Sequence, residues 1–461
     1  MSAMKQRKLF GTDGVRGTAN IEPVTAETAL KLGRAAAYVF KNMQAQARCL
    51  GRHKIVIGKD TRLSGYMLEN AISSGILSMG VDVQLIGPLP TPGVAYVTRS
   101  LRADAGIVIT ASHNPYYDNG IKFFHADGYK LDDEIESRIE KLVFSGEIET
   151  IRPTAEEIGK AMRIDDALGR YIEFAKGSFP RNLTLEGLKI VVDCANGASY
   201  KSTPCVLSEL GAEVIQIGVK PDGTNINKGC GSLYPEQLSR LVIEHSANLG
   251  VAHDGDADRV QLIDETGTLI DGDDMMLMIA LDRLKAGALT QKTLVATVMS
   301  NAGLELAMKE AGGKVIRTAV GDQNVLAAML EDDLSVGGEQ SGHIILREHS
   351  TTGDGLIAAL QVLRIMQTEH KPLSKLARSW KRFPQKLTNI IVKEKKPIDQ
   401  FPDLTALVAK AEKELKPEGG RVLLRYSGTE PKIRLLVEAQ DSKVIDRWSD
   451  EICKSIRSHM G

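Results

Sequence analysis

Ser112 stands in the segment TASHNP, Thr110 to Pro115, directly after the apolar run Ala105 to Ile109. That run predicts a short buried strand ending abruptly at Ser-His-Asn-Pro. Ligands of open α/β sheets collect at the carboxyl ends of strands, where a hydroxyl can act as a nucleophile or carry a covalent phosphate. A turn-making serine would look the same by itself, so the other loops decide. In HDGDADR, His253 to Arg259, the residues Asp254, Asp256 and Asp258 alternate. An extended segment would point all three to one side. Carboxylates about 5 Å apart repel by roughly 3 kcal/mol per pair at an effective dielectric of 20. A divalent cation removes that cost, and Mg2+ suits three aspartates plus an oxygen carried on Ser112. Asp254, Asp256, Asp258 and Glu265 also match calcium-loop positions 1, 3, 5 and 12, but Arg259 occupies the position that needs glycine.

Further segments could handle phosphate and sugar. FGTDGVRG, Phe10 to Gly17, reads as a glycine-punctuated loop that lets backbone approach a ligand and offers Arg16 as a planar phosphate fork. Lys122 in DNGIKFF and His343 in GGEQSGH are candidate proton carriers, while Glu339 and Ser341 could exchange hydrogen bonds with sugar hydroxyls. RYSGTEP, Arg425 to Pro431, could cradle a non-transferring phosphate through Arg425, Ser427, Gly428 and Thr429, with Arg434 adding to it. The adjacency of Ser112 and His113 is poor geometry for a Ser-His pair and argues against a hydrolase triad.

The elements that must hold these residues repeat three times. Lys54 to Gly87, Leu188 to Gly218 and Lys292 to Gly321 each read as strand, glycine-bearing polar loop, helix closed by glycine, and strand. After each copy a further strand-like run ends in one of the loops TASHNP, HDGDADR and GGEQSGH, so the three loops are expected to face one cleft. From about Pro384 the runs KLTNIIVKE, RVLLRYSG and KIRLLVEAQ mix with helices near 404–415 and 442–458. The fold class expected is α/β: three similar α/β domains with mixed sheets and a smaller C-terminal α+β domain. The boundaries expected are 1–163, 164–265, 266–380 and 381–461.

Composition limits the partners. A chain of 461 residues is too long for one core. With 58 basic and 59 acidic residues there is no global field to attract nucleic acid or an anionic membrane. Cys49, Cys194, Cys205, Cys230 and Cys453 lack metal or disulfide spacing and read as free thiols of a reducing cytosol. The opening MSAMKQRKLF has no apolar run of a signal peptide, and no segment approaches eighteen apolar residues. A cytoplasmic protein is expected, with a homodimer left open.

Together these motifs resemble the α-D-phosphohexomutase superfamily, from Phe10 through the C-terminal helix. FGTDGVRG with GGEQSGH points to its branch acting on glucosamine phosphate; the alternative is the phosphomannomutase/phosphoglucomutase branch. The resemblance implies a four-domain, heart-shaped enzyme in which phosphorylated Ser112 donates its phosphoryl group to glucosamine 6-phosphate. The 1,6-bisphosphate then turns and returns its other phosphate to Ser112, a reaction that feeds cell-envelope precursor synthesis. By the same resemblance Ser112, Asp254, Asp256 and Asp258 hold Mg2+, and Arg16, Lys122 and His343 lie near the transferring phosphate. Glu339 and Ser341 match the sugar loop, and Arg425, Ser427, Gly428 and Thr429 the distal phosphate loop. Two departures stand out: Ala257 replaces a usual glycine, and Gln323 and Asn324 replace the usual arginine and tyrosine. A magnesium-dependent phosphatase is disfavoured by the distal phosphate loop, and a non-catalytic sugar-phosphate sensor by three aspartates beside a hydroxyl-bearing loop.

Overall fold

The computed structural model describes residues 9–11, 13–43, 52–378, 380–426 and 432–460. Two compact units emerge: Met1–Thr297 with Arg317–Ala377, and Val298–Ile316 with Arg378–Gly461.

In the first unit, β1 (Val15–Thr18), β2 (Lys54–Lys59), β3 (Asp82–Pro88), β4 (Ala105–Ile109), β5 (Asp118–His125) and β6 (Ala161–Arg163) form one sheet, ordered β1-β5-β4-β2-β3-β6. The second sheet uses β7 (Lys189–Asp193), β8 (Glu213–Ile217), β9 (Leu249–His253), β10 (Val260–Asp264) and β11 (Leu269–Ile270), ordered β11-β10-β9-β7-β8. The third has β12 (Thr293–Thr297), β13 (Lys314–Thr318), β14 (Val336–Gly338) and β15 (Ile344–Leu346), ordered β13-β12-β14-β15; the division between the units falls within β13.

The repeat seen in the sequence is therefore a repeat of topology. The helices α1 (Ala26–Met43), α2 (Ser64–Leu77), α3 (Thr91–Ser100), α4 (Asp133–Ser145), α5 (Ala167–Gly177), α6 (Ser202–Glu209), α7 (Glu236–Glu244), α8 (Gly272–Lys285), α9 (Ala302–Glu310), α10 (Asp322–Glu331) and α11 (Gly355–Glu369) connect or flank these strands. β4 lies parallel to β2 and is followed by antiparallel β5; β9 and β10 stand the same way to β7, and β14 and β15 to β12. Parallel neighbours are buried on both faces, which is why β4, β9 and β12 read as continuous apolar runs rather than alternations. Each turn from a parallel strand into its antiparallel neighbour is one of the three loops, so the fold delivers all three at equivalent strand ends.

One segment differs from the sequence reading. Part of FGTDGVRG is not loop: Val15 to Thr18 pair with Ile121 to Asp118 as an edge strand. Pairing satisfies backbone groups that a loop would leave to water, and it fixes Arg16 opposite Gly120, two residues before Lys122 on the neighbouring strand.

The second unit has a three-stranded antiparallel sheet of β16 (Gln385–Ile391), β17 (Arg421–Tyr426) and β18 (Lys432–Glu438), ordered β16-β18-β17. A short α12 (Leu373–Ala377) ends the first unit, and α13 (Pro402–Leu415) and α14 (Ser442–Met460) pack on this sheet. α14 buries Ile445, Trp448, Ile452 and Ile456, the three-to-four spacing of an amphipathic helix. Truncating Trp448 to alanine would cost about 3–5 kcal/mol. Among the described residues, no helix is long and apolar enough to cross a membrane.

Candidate active site

Ser112 is the first residue to account for, because its backbone is held in a left-handed conformation, φ 50°, that a serine adopts at a cost. The surroundings supply the compensation. Ser112 N donates to Thr110 Oγ1 at 2.9 Å. The Ser112 carbonyl accepts from Arg62 Nη2 at 2.9 Å and Asn227 Nδ2 at 2.8 Å. Arg62, wholly buried, also holds the carbonyls of Asn114 and Asp118 and pairs with Asp60 at 2.8 Å. Burial pushes the Asp60 carboxyl up, and Arg62 together with the Thr110 hydroxyl opposes that rise. The outcome is a serine, 2% exposed, whose Oγ donates to Asp254 Oδ2 at 2.6 Å.

The three aspartates do converge, but not as an extended segment would bring them. Residues 254–258 form a turn between β9 and β10, with Ala257 left-handed at φ 56°. In a plain strand, residues at i, i+2 and i+4 would spread over about 13 Å. The turn instead brings one carboxylate oxygen from each of Asp254, Asp256 and Asp258 within 4.8 Å of one another. A Cβ on Gly255 would lie 2.6 Å from the Ser112 carbonyl oxygen, so only glycine lets this turn come so close to the serine loop. This sheet-borne turn also excludes the calcium helix-loop-helix: strands flank it, and the Glu265 carboxylate accepts from Ser374 N at 3.2 Å, away from the other three.

All three carboxyls are buried, and their neighbours divide them. Burial and mutual repulsion push Asp254 and Asp258 up. Burial acts the same way on Asp256, but Lys122 and the Thr91 hydroxyl overcome it and hold that carboxyl at about 2. Asp256 Oδ1 and Asp258 Oδ1 are buried with no hydrogen-bond partner. Orphaned anionic oxygens at this spacing fit a hard divalent cation.

Cations close the other side. Lys122 Nζ lies 2.8 Å from Asp13 Oδ2, 3.4 Å from Asp256 Oδ2 and 3.7 Å from Asp258 Oδ2. Burial works against its charge, yet Asp13, Asp256 and Asp258 raise it above the ordinary lysine value, so it is an ammonium at any working pH. Asp13 also receives Arg16 at 3.1 Å and Lys130 at 2.6 Å, and Lys130 pairs in turn with Asp322. Burial and the guanidiniums of Arg259 and Arg16 push His113 down to about 3. Its Nδ1 stands 3.3 Å from Ser112 Oγ but also 3.2 Å from Arg259 Nη1, so it accepts from the guanidinium and is no base for the serine.

The third loop completes the cavity. Asp13, Arg16, Ser112, Asp258, Arg259, Glu339 and His343 line one hollow of about 220 Å³, together with residues 320–324. Both ring nitrogens of His343 lack hydrogen-bond partners; Nε2 is 3.7 Å from Asp322 and 4.0 Å from Asp258. Glu339 Oε1 accepts from Gly321 N at 3.0 Å, and its Oε2 is 3.5 Å from Ser341 Oγ. Gln323 and Asn324 line the same hollow; Asn324 Nδ2 donates to Val320 O at 3.0 Å.

Thus Ser112, Arg16, Lys122, Asp254, Asp256, Asp258, Glu339, Ser341 and His343 come together within the first unit. Arg425 and Arg434 belong to the second, directly opposite each other across β17 and β18. Ser427, Gly428 and Thr429 lie outside the described residues, as does Cys49; the other four cysteines are free thiols. The sequence reading did not single out Asp13, Asp60, Arg62, Thr91, Lys130, Asn227 or Asp322. One signal was available, since DTR follows the buried strand β2 at the repeat position equivalent to CANGAS, and charges there must be paired.

Comparison with known proteins gives concordant results. Models described as phosphoglucomutase/phosphomannomutase alpha/beta/alpha domains I, II and III match residues 7–149, 169–267 and 271–383, and the model of the C-terminal domain matches 387–455. A phosphoglucosamine mutase of Geotalea uraniireducens is 58% identical over 455 residues, 99% of each chain. A phosphoglucomutase/phosphomannomutase family protein from Burkholderia thailandensis superposes with a TM-score of 0.79 at 24% identity, covering 99% of this chain and 98% of that one. An N-acetylphosphoglucosamine mutase of Aspergillus fumigatus, solved in complex with GlcNAc-6P and magnesium, gives 0.66 at 17% identity over 98% and 96% of the two chains. At such identities the solved structures show the shared fold.

Proposed function

The chain belongs to the phosphoglucomutase/phosphomannomutase family, and we propose from that premise that it interconverts glucosamine 6-phosphate and glucosamine 1-phosphate through a phosphoserine at Ser112. The observation that carries the reading is the 2.6 Å bond from Ser112 Oγ to Asp254, inside a cavity that also holds the other two aspartates. Full-length relatives at 58% identity act under the name phosphoglucosamine mutase, which supports the aminosugar as substrate. The division 1–163, 164–265, 266–380 and 381–461 is kept as the proposed set of domains, in step with the order of the four family matches.

In the first half-reaction the O1 hydroxyl of glucosamine 6-phosphate attacks the phosphorus on Ser112. The P–O1 bond forms as the P–Oγ bond breaks; His343, whose ring nitrogens lack hydrogen-bond partners, takes the hydroxyl proton, and the Lys122 ammonium gives the leaving Oγ a proton. Lys122 and Arg16 offset charge on the transferring group. The 1,6-bisphosphate then turns, Oγ attacks the other phosphorus and gives its proton back to Lys122 as the P–O6 bond breaks, and His343 returns its proton to O6. Glu339 and Ser341 hold sugar hydroxyls meanwhile. Arg425, Ser427, Gly428, Thr429 and Arg434 bind the phosphate that is not being transferred. Asp254, Asp256, Asp258 and the Ser112 oxygen would hold Mg2+, which when bound supplies Lewis-acid neutralisation of the phosphoryl charge.

A coupled assay tests this with glucosamine, glucose and mannose 6-phosphates, each primed by its own bisphosphate. Preference for glucosamine together with a phosphopeptide at Ser112 is expected. Equal turnover by Ser112→Ala, without any phosphopeptide, would sink the mechanism; a preference for mannose or glucose would reassign the substrate.

A further inference from the structure

The turn carrying the three aspartates is held from outside at three of its five backbone carbonyls. Gly255 O accepts from Ala198 N at 2.8 Å, Asp256 O from Thr91 N at 2.9 Å and Ala257 O from Gly355 N at 3.1 Å. The turn's exit is held differently. There the Arg259 carbonyl faces His253 Nδ1 at 3.2 Å, and the other ring nitrogen of the same histidine, Nε2, faces Thr203 Oγ1 of α6 at 3.0 Å.

His253 is the last residue of β9 and Arg259 the residue just before β10, so one imidazole spans the entrance and exit of the five residues between them. A carbonyl can only accept, which puts the ring proton on Nδ1 and leaves Nε2 to accept from the Thr203 hydroxyl. Both side chains are completely buried. The clip is also closely walled: a Cβ on Gly355 would stand 2.6 Å from Arg259 O and 2.9 Å from His253 Nδ1. Only glycine at the start of α11 can approach the clip so closely. Asp258 and Arg259 are the residues whose direction depends most on this exit, and Asp258 Oδ1 is one of the unpartnered oxygens.

We infer that His253 is a positioning residue for the metal site, clipping the exit of the aspartate turn to α6 so that Asp258 stays aimed at the ion. The inference rests on the reading of Asp254, Asp256 and Asp258 as metal ligands. It requires no contact between His253 and either ion or sugar. Its role is to limit the ways the turn can open, so the ligand set is formed before the ion arrives.

Mn2+ binding, followed by electron paramagnetic resonance of the free ion, tests it on the full chain. His253→Phe keeps the ring's bulk and removes both bonds, and should weaken Mn2+ by about 10–100-fold. His253→Asn retains a donor near the Nδ1 position and should stay within about threefold of the wild type, the scatter common to such contributions. Thr203→Val, which releases only the far end, should fall between them. Circular dichroism and thermal unfolding of each variant identify any that fail to fold; the asparagine and valine variants keep the test decisive if the phenylalanine variant does. Unchanged Mn2+ affinity in His253→Phe would overturn the inference, as would equal losses in the phenylalanine and asparagine variants. Failure of the wild type to bind Mn2+ at all would instead remove the metal site, and the clip with it; neither result bears on whether glucosamine 6-phosphate is turned over.

Discussion

Thr91 gives both of its donors to Asp256: its hydroxyl reaches Oδ2 at 2.8 Å and its backbone N–H reaches the carbonyl oxygen at 2.9 Å. Thr91 opens α3, packed on the first sheet, whereas Asp256 lies in a turn of the second. The pair therefore fixes the carboxylate in the structure that carries Ser112. Hydrogen bonds to charged groups contribute about 1.5–3 kcal/mol. Thr91→Val should raise the Mg2+ concentration for half-maximal turnover by on the order of tenfold. Thr91→Ser should restore it. A valine variant with an unchanged Mg2+ titration would show that Asp256 is held without Thr91.

Asp256→Asn should reduce phosphoryl transfer at least as far as the ~100-fold that loss of a supporting group can cost. The fold should survive. Lys122 keeps Asp13 at 2.8 Å, and an asparagine oxygen can still accept from Thr91. Crowding alone suggests that the variant gains stability, but Lys122 and Thr91 already compensate Asp256, so no gain is expected. Turnover against Mg2+ and chemical denaturation are the measurements. Wild-type activity with wild-type metal dependence would exclude this turn as the ion site.

Asp354 supplies a pH test on a group that is not itself one of the three aspartates. It caps α11 through Ile357 N and receives the Tyr171 hydroxyl at 3.0 Å. Burial raises its carboxyl to about 6 despite those bonds. Its unfolded value is about 3.9, so the folded chain keeps a proton that the unfolded chain has lost between these values. Stability from this group is complete below about pH 4 and is lost as pH rises toward 6, by about 3 kcal/mol at most. Asp354→Asn has nothing to titrate. Its stability relative to the wild type should improve between pH 4 and pH 7, as read from denaturation midpoints. Parallel profiles would mean that Asp354 titrates normally.

Arg425 and Arg434 face each other in register on β17 and β18, the two strands that RYSGTEP joins. Arg425→Ala should raise KM for the sugar phosphate. It should also make turnover more dependent on added glucosamine 1,6-bisphosphate, because intermediate escapes more often. Kinetics across bisphosphate concentrations, with detection of released intermediate, give the answer. An unchanged KM and no extra need for bisphosphate would reduce RYSGTEP to an ordinary hairpin.

What the sequence determined by itself follows from local rules. Apolar runs closed by glycine marked β2, β7 and β12 and the helices after them, and the repeat of that pattern placed Ser112, the aspartates and His343 at equivalent strand ends. The residue types also named the chemistry, because a hydroxyl beside three carboxylates has few other uses. The tertiary structure alone decided which groups hold these side chains in position. Arg62 grips Ser112 from 50 residues away, and Thr91 meets Asp256 across 165. Asp13, Lys130 and Asp322 form one ionic chain from three separate segments. Even the convergence of the aspartates came from the left-handed Ala257 rather than from their alternation. Such partners carry no periodic signal, since burial sets the energy of a charge and burial depends on what the rest of the chain packs around it.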